Sequence, residues 1–287
     1  MATQPAKRRW IVAVTAPVLL VLAFFAGPVH RIDETVMPAR VPSEPAALES
    51  YLAAAERRHP DIVPGAEKTI VWAHADRRKT PLAIVYLHGF SASRQEVAPL
   101  CDELGARLGA NVFYARLAGH GRDPRAMGEV QGNEWLQDAT EALAIGREIG
   151  ERVVLVGTST GGTLALWLAQ HDPQKIAALV LISPNLGPRG AGAEFLAGPW
   201  GAQVLRAVVG TEHRWDPANP AQARYWNWQY PSTALLPMMA LVKIVRESPL
   251  ESITTPTLVL YSLEDQVVEP LETERAFARL GSRTKRL

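Results

Sequence analysis

Residues 152–170 read RVVLVGTSTGGTLALWLAQ, and this stretch decides the fold class. Its first residues form a continuous apolar run typical of a buried strand, and residues 160–171 have the pattern of a helix. Gly157-Thr158-Ser159-Thr160-Gly161 lies between them as a G-x-S-x-G pattern. This context favours a nucleophilic Ser159 on a sharp turn, where Gly157 and Gly161 let strand and helix approach closely. A glycine- and serine-rich turn without chemistry is the alternative.

Short apolar runs alternate with amphipathic segments on both sides of this stretch. The strand pattern occurs at 82–87, 112–116, 152–157, 177–183 and 257–262. The helix pattern occurs at 94–108, 134–149 and 160–171. This alternation predicts an α/β fold with a mostly parallel sheet and helices on both faces. An insertion rich in aromatic residues and proline, at about 186–250, interrupts the alternation and is expected to have its own helices.

Composition excludes several classes of protein. With 47% hydrophobic and 21% charged residues in 287 positions, the chain can bury a large core, so it is not globally disordered. A net charge of +1 leaves no excess of cations for a phosphate backbone, which argues against nucleic acid as a partner. The single cysteine, Cys101, excludes an internal disulfide and a cysteine-based zinc site.

The N-terminus has the pattern of a membrane anchor. Residues 10–29 carry no charge and would span about 30 Å as a helix. Lys7, Arg8 and Arg9 precede this run, whereas residues 31–34 are net negative. We therefore expect a cytoplasmic tail at 1–9, a single transmembrane helix at 10–29, and the remainder of the chain across the membrane. A cleaved signal peptide is the alternative. Residues 30–65 have the composition of a linker with one short helix.

The loop after the strand at 82–87 is a candidate half of an oxyanion hole. It reads Leu87-His88-Gly89-Phe90, where Gly89 permits a turn and the Phe90 N–H can face the nucleophile. The second donor is expected to be the N–H of Thr160, the residue after Ser159. His88 is interpreted as a brace for this loop, because nothing in the sequence brings it to the proton that a general base would take.

Six motifs together carry a family resemblance. They are LHGF at 87–90, RLAGHGR at 116–122, EWLQDA at 134–139, VGTSTGG at 156–162, ISPN at 182–185 and YSLEDQVV at 261–268. In this order the chain resembles α/β-hydrolases of the monoacylglycerol lipase and carboxylesterase type over residues 66–287. The resemblance implies the α/β-hydrolase fold, a serine hydrolase acting on a small ester or acyl substrate, a lid at about 186–250, and no cofactor or metal.

The resemblance also implies an acid and a base that follow the nucleophile. Asp265 matches the acid, with the neighbouring Glu264 as the alternative. The histidine expected after the last strand is not in the sequence, where all seven histidines precede Asp265. Three interpretations stay open: a truncated sequence, a catalytically silent relative, or a substitute base at His120. The functional expectation is a serine ester hydrolase with an acyl-enzyme intermediate, and the alternative is a silent binding or scaffold protein.

Overall fold

The computed structural model describes residues 21–190 and 192–287. A central sheet has the strand order β1-β3-β2-β4-β5-β8-β9, in which β1 is antiparallel to β3 and the other neighbours are parallel. The bounds are β1 Thr69–Val71, β2 Thr80–Leu87, β3 Asn111–Tyr114, β4 Gly150–Thr158, β5 Ile176–Ile182, β8 Thr257–Leu260 and β9 Lys285–Arg286. The predicted mostly parallel sheet is thus confirmed.

Helices cover both faces of the sheet. Their bounds are α1 Pro45–Glu56, α2 Leu100–Leu108, α3 Gly132–Ile149, α4 Thr160–His171, α5 Gly201–Val208, α6 Pro220–Tyr225, α7 Leu235–Glu247 and α8 Pro270–Arg279. In β2, Val85 and Leu87 pack into one apolar cluster with α3, α4 and α7. The alternate residues Ile84 and Tyr86 pack into a second cluster that contains Cys101 of α2. This period of two is what a strand buried on both faces requires.

The sheet register brings several strand ends to one edge. Leu87, at the end of β2, pairs with Gly157 of β4. Thr158 pairs with Ile182 at the end of β5, and Ile182 pairs with Leu260 at the end of β8. From β2, the chain first adds β3 on one side and then β4 on the other, so the order of connection switches between β2 and β4. Open α/β sheets bind ligands in the crevice at such a switch point. The loops after β2, β4, β5 and β8 therefore border one crevice.

The insertion between β5 and β8 contains more than helices. It includes α5, α6 and α7, and also an antiparallel hairpin of β6 (Glu212–Arg214) and β7 (Gln229–Pro231). Helix α7 contributes buried residues to the main core, so the C-terminal part of the insertion belongs to the body of the domain. Tyr230 of β7 packs with Met127 and Phe90, which places the hairpin beside the loop after β2.

The prediction of a transmembrane helix is wrong for the described part of the chain. Across residues 21–190 and 192–287, no helix combines the length and the apolar character needed to cross a membrane. Residues 21–25 are helical, and the chain then turns. Trp200 donates hydrogen bonds to the carbonyls of Phe24 (3.0 Å) and Pro28 (2.8 Å), so this end of the apolar run packs on the insertion. Residues 1–20, which contain the expected cytoplasmic tail at 1–9 and the first part of the expected transmembrane helix, lie outside the described residues. The single-pass topology and the membrane localisation are corrected accordingly.

Residues 30–65, expected to be a linker, pack closely on the domain. Trp167 of α4 donates its indole N–H to Glu34 at 2.9 Å. Leu48 and Leu52 of α1 are buried in the main core cluster. Burial of these side chains removes apolar area from water, which stabilises the docked segment. The expected short helix in this stretch corresponds to α1.

Candidate active site

Ser159 occupies a strained turn between β4 and α4. Its φ of +51° and ψ of −116° lie outside the regions that L-residues favour. Such conformations cost about 1–3 kcal/mol and persist where the surrounding structure enforces them. A Cβ on Gly161 would lie 1.9 Å from the carbonyl oxygen of Leu87, and a Cβ on Gly157 would lie 2.4 Å from that of Gly161. Strand and helix therefore approach so closely that only glycine fits at these two positions.

Backbone hydrogen bonds hold this turn on both sides. The Ser159 N–H donates to the carbonyl of Ile182 at 2.9 Å, and the Ser159 carbonyl accepts from the N–H groups of Gly162 (2.9 Å) and Asn185 (3.0 Å). The Ser159 side chain is half-buried, and its hydroxyl makes no hydrogen bond with any described residue. The turn is thus fixed while its hydroxyl stays free to react.

Two backbone N–H groups border Ser159. A Cβ on Gly89 would lie 3.3 Å from the Ser159 Cβ, so the loop after β2 lies against the nucleophile candidate. Phe90 follows Gly89, and Thr160 begins α4. Neither the Phe90 N–H nor the Thr160 N–H donates to another described residue. The first N–H groups of a helix have no partner within the helix and attract negative charge. Both groups stay predicted donors to an oxyanion.

His88 braces the loop through both of its ring nitrogens. Its ring is buried, Nε2 accepts from the Leu117 N–H at 3.0 Å, and Nδ1 lies 2.9 Å from the Gly89 carbonyl oxygen. This pairing assigns the proton to Nδ1. Burial, reinforced by the neighbouring His120 ring, lowers the pKa of His88 to about 3. The ring is therefore neutral and has both nitrogens engaged.

His120 lies behind Phe90. The ring centroids of these two residues are 5.7 Å apart, and His120 Nδ1 lies 2.9 Å from the carbonyl oxygen of Ala118. Burial lowers its pKa to about 4. Its Nε2 is buried without a partner, but no hydrogen bond joins it to Ser159. No histidine in the described part of the chain hydrogen-bonds to Ser159.

Asp265 lies at the same sheet edge as Ser159. Its Oδ1 accepts from the N–H groups of Val267 (2.8 Å) and Val268 (3.0 Å), and the nearby Ser183 side chain also favours the ionised form. Burial alone would raise the pKa of Asp265, but these hydrogen bonds outweigh it and hold the pKa below its ordinary value. Ser183 directly follows β5, the neighbour of β4 in the sheet, so the loop that carries Asp265 reaches the strand next to the one that leads to Ser159. The Glu264 side chain is exposed and has no such contacts.

Sequence reasoning missed a buried polar network next to the same loop. Glu96 lies in a short 3₁₀ turn, and its Oε1 accepts from the Tyr86 hydroxyl at 2.7 Å and from the Gly89 N–H. The Tyr86 hydroxyl also lies 2.9 Å from Thr158 Oγ1. The one signal in the sequence is a tyrosine hydroxyl inside the apolar strand 82–87, because a buried hydroxyl needs a partner.

A cavity of about 550 Å³ lies away from these residues, between α1, α3 and the loop after β3. Its wall contains the ion pairs Arg116–Glu56 and Lys68–Asp138. Because these charges neutralise each other, the cavity gives no indication of a ligand. None of the predicted site residues lines it.

Comparison with known proteins places these observations in a family. The model of the serine aminopeptidase S33 family matches residues 78–287. A thermostable monoacylglycerol lipase of Bacillus sp. (strain H-257) is 27% identical over 207 residues, covering 72% of this chain and 80% of that protein. The lipase LipV of Mycobacterium tuberculosis is 30% identical over 171 residues, and the alignment covers 46% of this chain and 63% of LipV.

Solved structures share the fold. A structure reported for the metagenome-derived lipolytic enzymes LipS and LipT superimposes with a TM-score of 0.64 at 24% identity, covering 79% of this chain and 87% of that chain. The monoacylglycerol lipase of Paleococcus ferrophilus gives a TM-score of 0.58 at 22% identity, covering 76% and 86%. The α/β-hydrolase architecture expected from the sequence is therefore confirmed.

Proposed function

Since the chain belongs to the serine aminopeptidase S33 family of serine hydrolases, we propose that it cleaves carboxylic esters, with Ser159 as the nucleophile. One observation carries the proposal: on the strained turn, neither the half-buried Ser159 hydroxyl nor the N–H groups of Phe90 and Thr160 near it hydrogen-bond to a described residue. The similar proteins named as a monoacylglycerol lipase and a lipase favour an ester over a peptide substrate.

The proposed reaction proceeds through an acyl-enzyme. Ser159 Oγ attacks the ester carbonyl carbon and gives its proton to a general base, a role for which no histidine of the described residues is hydrogen-bonded to Ser159, while the carbonyl oxygen becomes an oxyanion. The N–H groups of Phe90 and Thr160 stabilise this oxyanion, and losing one such donor typically costs about 2.7–4 kcal/mol. Collapse of the tetrahedral intermediate expels the alcohol, which takes up the proton. Water then attacks the acyl-enzyme in the same way and releases the acid.

Asp265 is proposed to orient the base. In a triad the acid holds an imidazole in the correct tautomer and stabilises the imidazolium that forms. The lowered pKa of Asp265 keeps it ionised at neutral pH, as this role needs.

The surroundings of the site favour an apolar acyl group. Phe90 packs edge-to-face on Tyr230, with ring centroids 5.4 Å apart. Met127, Trp215 and Leu235 complete this cluster. Aromatic side chains bury a large apolar area at low cost in conformational entropy, as apolar substrate pockets need. We therefore propose an ester with an acyl chain of moderate size.

A fluorophosphonate probe tests the proposal directly. We expect the protein to form a covalent adduct, and peptide mass spectrometry should locate it on Ser159. The control is Ser159→Ala, which keeps the turn and removes only the hydroxyl. An adduct that persists in Ser159→Ala would contradict the assignment of the nucleophile, as would a protein that stays unlabelled both with and without added imidazole.

A second candidate function is a catalytically silent binding or scaffold protein. The observation that favours it is that no histidine of the described residues hydrogen-bonds to Ser159, while His88 and His120 are buried with lowered pKa values. The two candidate functions differ in whether a base accelerates the reaction of the Ser159 hydroxyl with the probe.

Free imidazole should accelerate labelling of Ser159. A positioned general base contributes about 10²–10⁴-fold, so we expect diffusible imidazole to raise the labelling rate by about tenfold or more. The rate is measured against imidazole concentration by in-gel fluorescence. Because imidazole also reacts with phosphonates, Ser159→Ala is measured in parallel. Labelling that is absent at every imidazole concentration would favour the silent protein.

A further inference from the structure

We propose that Glu96 is a positioning residue of the oxyanion hole, whose carboxylate fixes the loop that carries the Phe90 N–H and ties it to the strand end that carries Ser159. The inference rests on the proposed function, because it assigns Phe90 to the oxyanion. It goes further in naming the side chain that holds the donor in place.

The first step concerns the two peptide planes around Gly89. The Gly89 N–H donates to Glu96 Oε1, while the Gly89 carbonyl accepts from His88 Nδ1 at 2.9 Å. In a planar trans peptide, the N–H of the next residue points away from the carbonyl. The His88 bond therefore sets the direction of the Phe90 N–H, and the Glu96 bond prevents the preceding peptide plane from rotating. Together they fix the loop on both sides of a residue that has no side chain to hold it.

The second step concerns the position of the carboxylate. A Cβ placed on Gly89 would lie 3.1 Å from Glu96 Oε2 and 3.3 Å from the Ser159 Cβ. Hence Glu96 Oε2 and the Ser159 Cβ both lie close to the same point beside Gly89. Glu96 Oε2 makes no hydrogen bond with a described residue, so both bonds converge on Oε1.

The third step links the loop to the nucleophile turn. Tyr86 is fully buried in β2, where it pairs in register with Val156 of β4. Its hydroxyl donates to Glu96 and lies 2.9 Å from Thr158 Oγ1, one residue before Ser159. The chain of contacts Gly89–Glu96–Tyr86–Thr158 thus joins both loops that carry the predicted donors. A relative shift of these loops would break at least one bond of the chain.

The charge of Glu96 strengthens this network. Hydrogen bonds to an ionised acceptor are about twice as strong as neutral ones. Burial raises the pKa of Glu96 to about 7, although the bonds from Tyr86 and Gly89 work against the rise. The titratable groups that face the network are Tyr86 from β2 and, beside it, Cys101 from α2. Burial raises the pKa of both, so they stay neutral near pH 7.

The first experiment follows the Gly89 amide by nuclear magnetic resonance between pH 5 and pH 9. We expect the chemical shift of the Gly89 amide proton to titrate with a midpoint near pH 7, because ionisation of Glu96 strengthens the hydrogen bond that this N–H donates. In Glu96→Gln the titration should vanish, and in Tyr86→Phe its midpoint should move. Ser159→Ala is the matched control and should keep the wild-type titration. The proposal would be overturned if the chemical shift of the Gly89 amide proton changed neither with pH nor in Glu96→Gln.

The second experiment measures fluorophosphonate labelling as a function of probe concentration. Displacing one donor should lower the maximal rate of labelling, by about tenfold in Glu96→Gln, and leave half-saturation nearly unchanged. Tyr86→Phe should lie between Glu96→Gln and the wild type. Wild-type maximal rates in both variants would overturn the proposal. Absence of labelling in every protein would remove the proposed function, whereas the Gly89 titration would still decide whether Glu96 holds the loop.

Discussion

Gly161→Ala is expected to destabilise the protein by at least about 3 kcal/mol, the upper end of the usual cost of overpacking. The added Cβ would lie 1.9 Å from the Leu87 carbonyl oxygen and 2.8 Å from that of His88. Both atoms belong to backbone, so no side-chain rotation relieves the clash. The preference of helices for alanine over glycine, about 1 kcal/mol, is too small to compensate. Urea unfolding followed by circular dichroism measures the loss.

The matched control for this prediction is Gly198→Ala. A Cβ there would meet only the Phe195 carbonyl oxygen, at an ordinary 3.4 Å, and its φ of −103° suits any residue. We expect its free energy of unfolding to stay within about 0.5 kcal/mol of that of the wild type. If Gly161→Ala and Gly198→Ala unfolded alike, the close approach of α4 to the loop after β2 would be refuted.

The nucleophile turn was predictable because its determinants are local. An apolar strand, a serine between two glycines and an apolar helix lie consecutively at 152–170. The loop at 87–90 was predictable for the same reason, since it follows a continuous apolar strand. The order of the strands across the sheet then brings these two segments together, and the family resemblance supplied that order. The roles of Ser159 and Asp265 themselves stay predictions.

The features that sequence reasoning missed depend on contacts between distant segments. Glu96 lies in a stretch expected to be helical, and nothing local distinguishes it from a solvated carboxylate until Tyr86 and Gly89 are placed beside it. The hairpin of β6 and β7 joins residues far apart in the insertion, and each of its strands has only three residues. Short strands with few alternating positions give little periodic signal.

The interpretation of the N-terminus was wrong for a related reason. Hydropathy measures how apolar a segment is and does not say what covers it. In the described part, Gly27 packs against the Trp200 indole, where a Cβ would lie 2.1 Å from Nε1. Two hydrogen bonds from Trp200 hold the same stretch. The backbone at the end of the run thus contacts the insertion, whereas the side chains of Leu22, Phe24 and Phe25 are exposed.

Arg116→Gln is expected to lower the free energy of unfolding by about 3–5 kcal/mol, because it leaves a partly buried carboxylate without its partner. Arg116 Nε and Nη2 bond to the two carboxylate oxygens of Glu56 at 2.9 and 2.8 Å. Only 5% of the Arg116 side chain and 11% of the Glu56 side chain are exposed. Arg116 also donates to the His120 carbonyl at 3.2 Å, so the pair fixes α1 to the loop after β3. Urea unfolding at pH 7 gives the size of the loss.

The pH dependence of this loss separates the ion pair from simple packing. Burial alone would raise the pKa of Glu56, but the hydrogen bonds and charge of Arg116 hold it below the ordinary 4.5. A lowered folded-state pKa means that the ionised pair stabilises the fold above pH 4.5, and that this contribution disappears as the pH falls through the folded-state pKa. The difference in free energy of unfolding between wild type and Arg116→Gln should therefore be largest near neutral pH and shrink in acid.

The control Arg78→Gln breaks a pair with Asp76 in which both side chains are 58% exposed, and it should cost less than about 1 kcal/mol at either pH. A loss in Arg116→Gln that did not change with pH would assign the effect to packing of the arginine stem, since Glu56 is the member of this pair that titrates in this range.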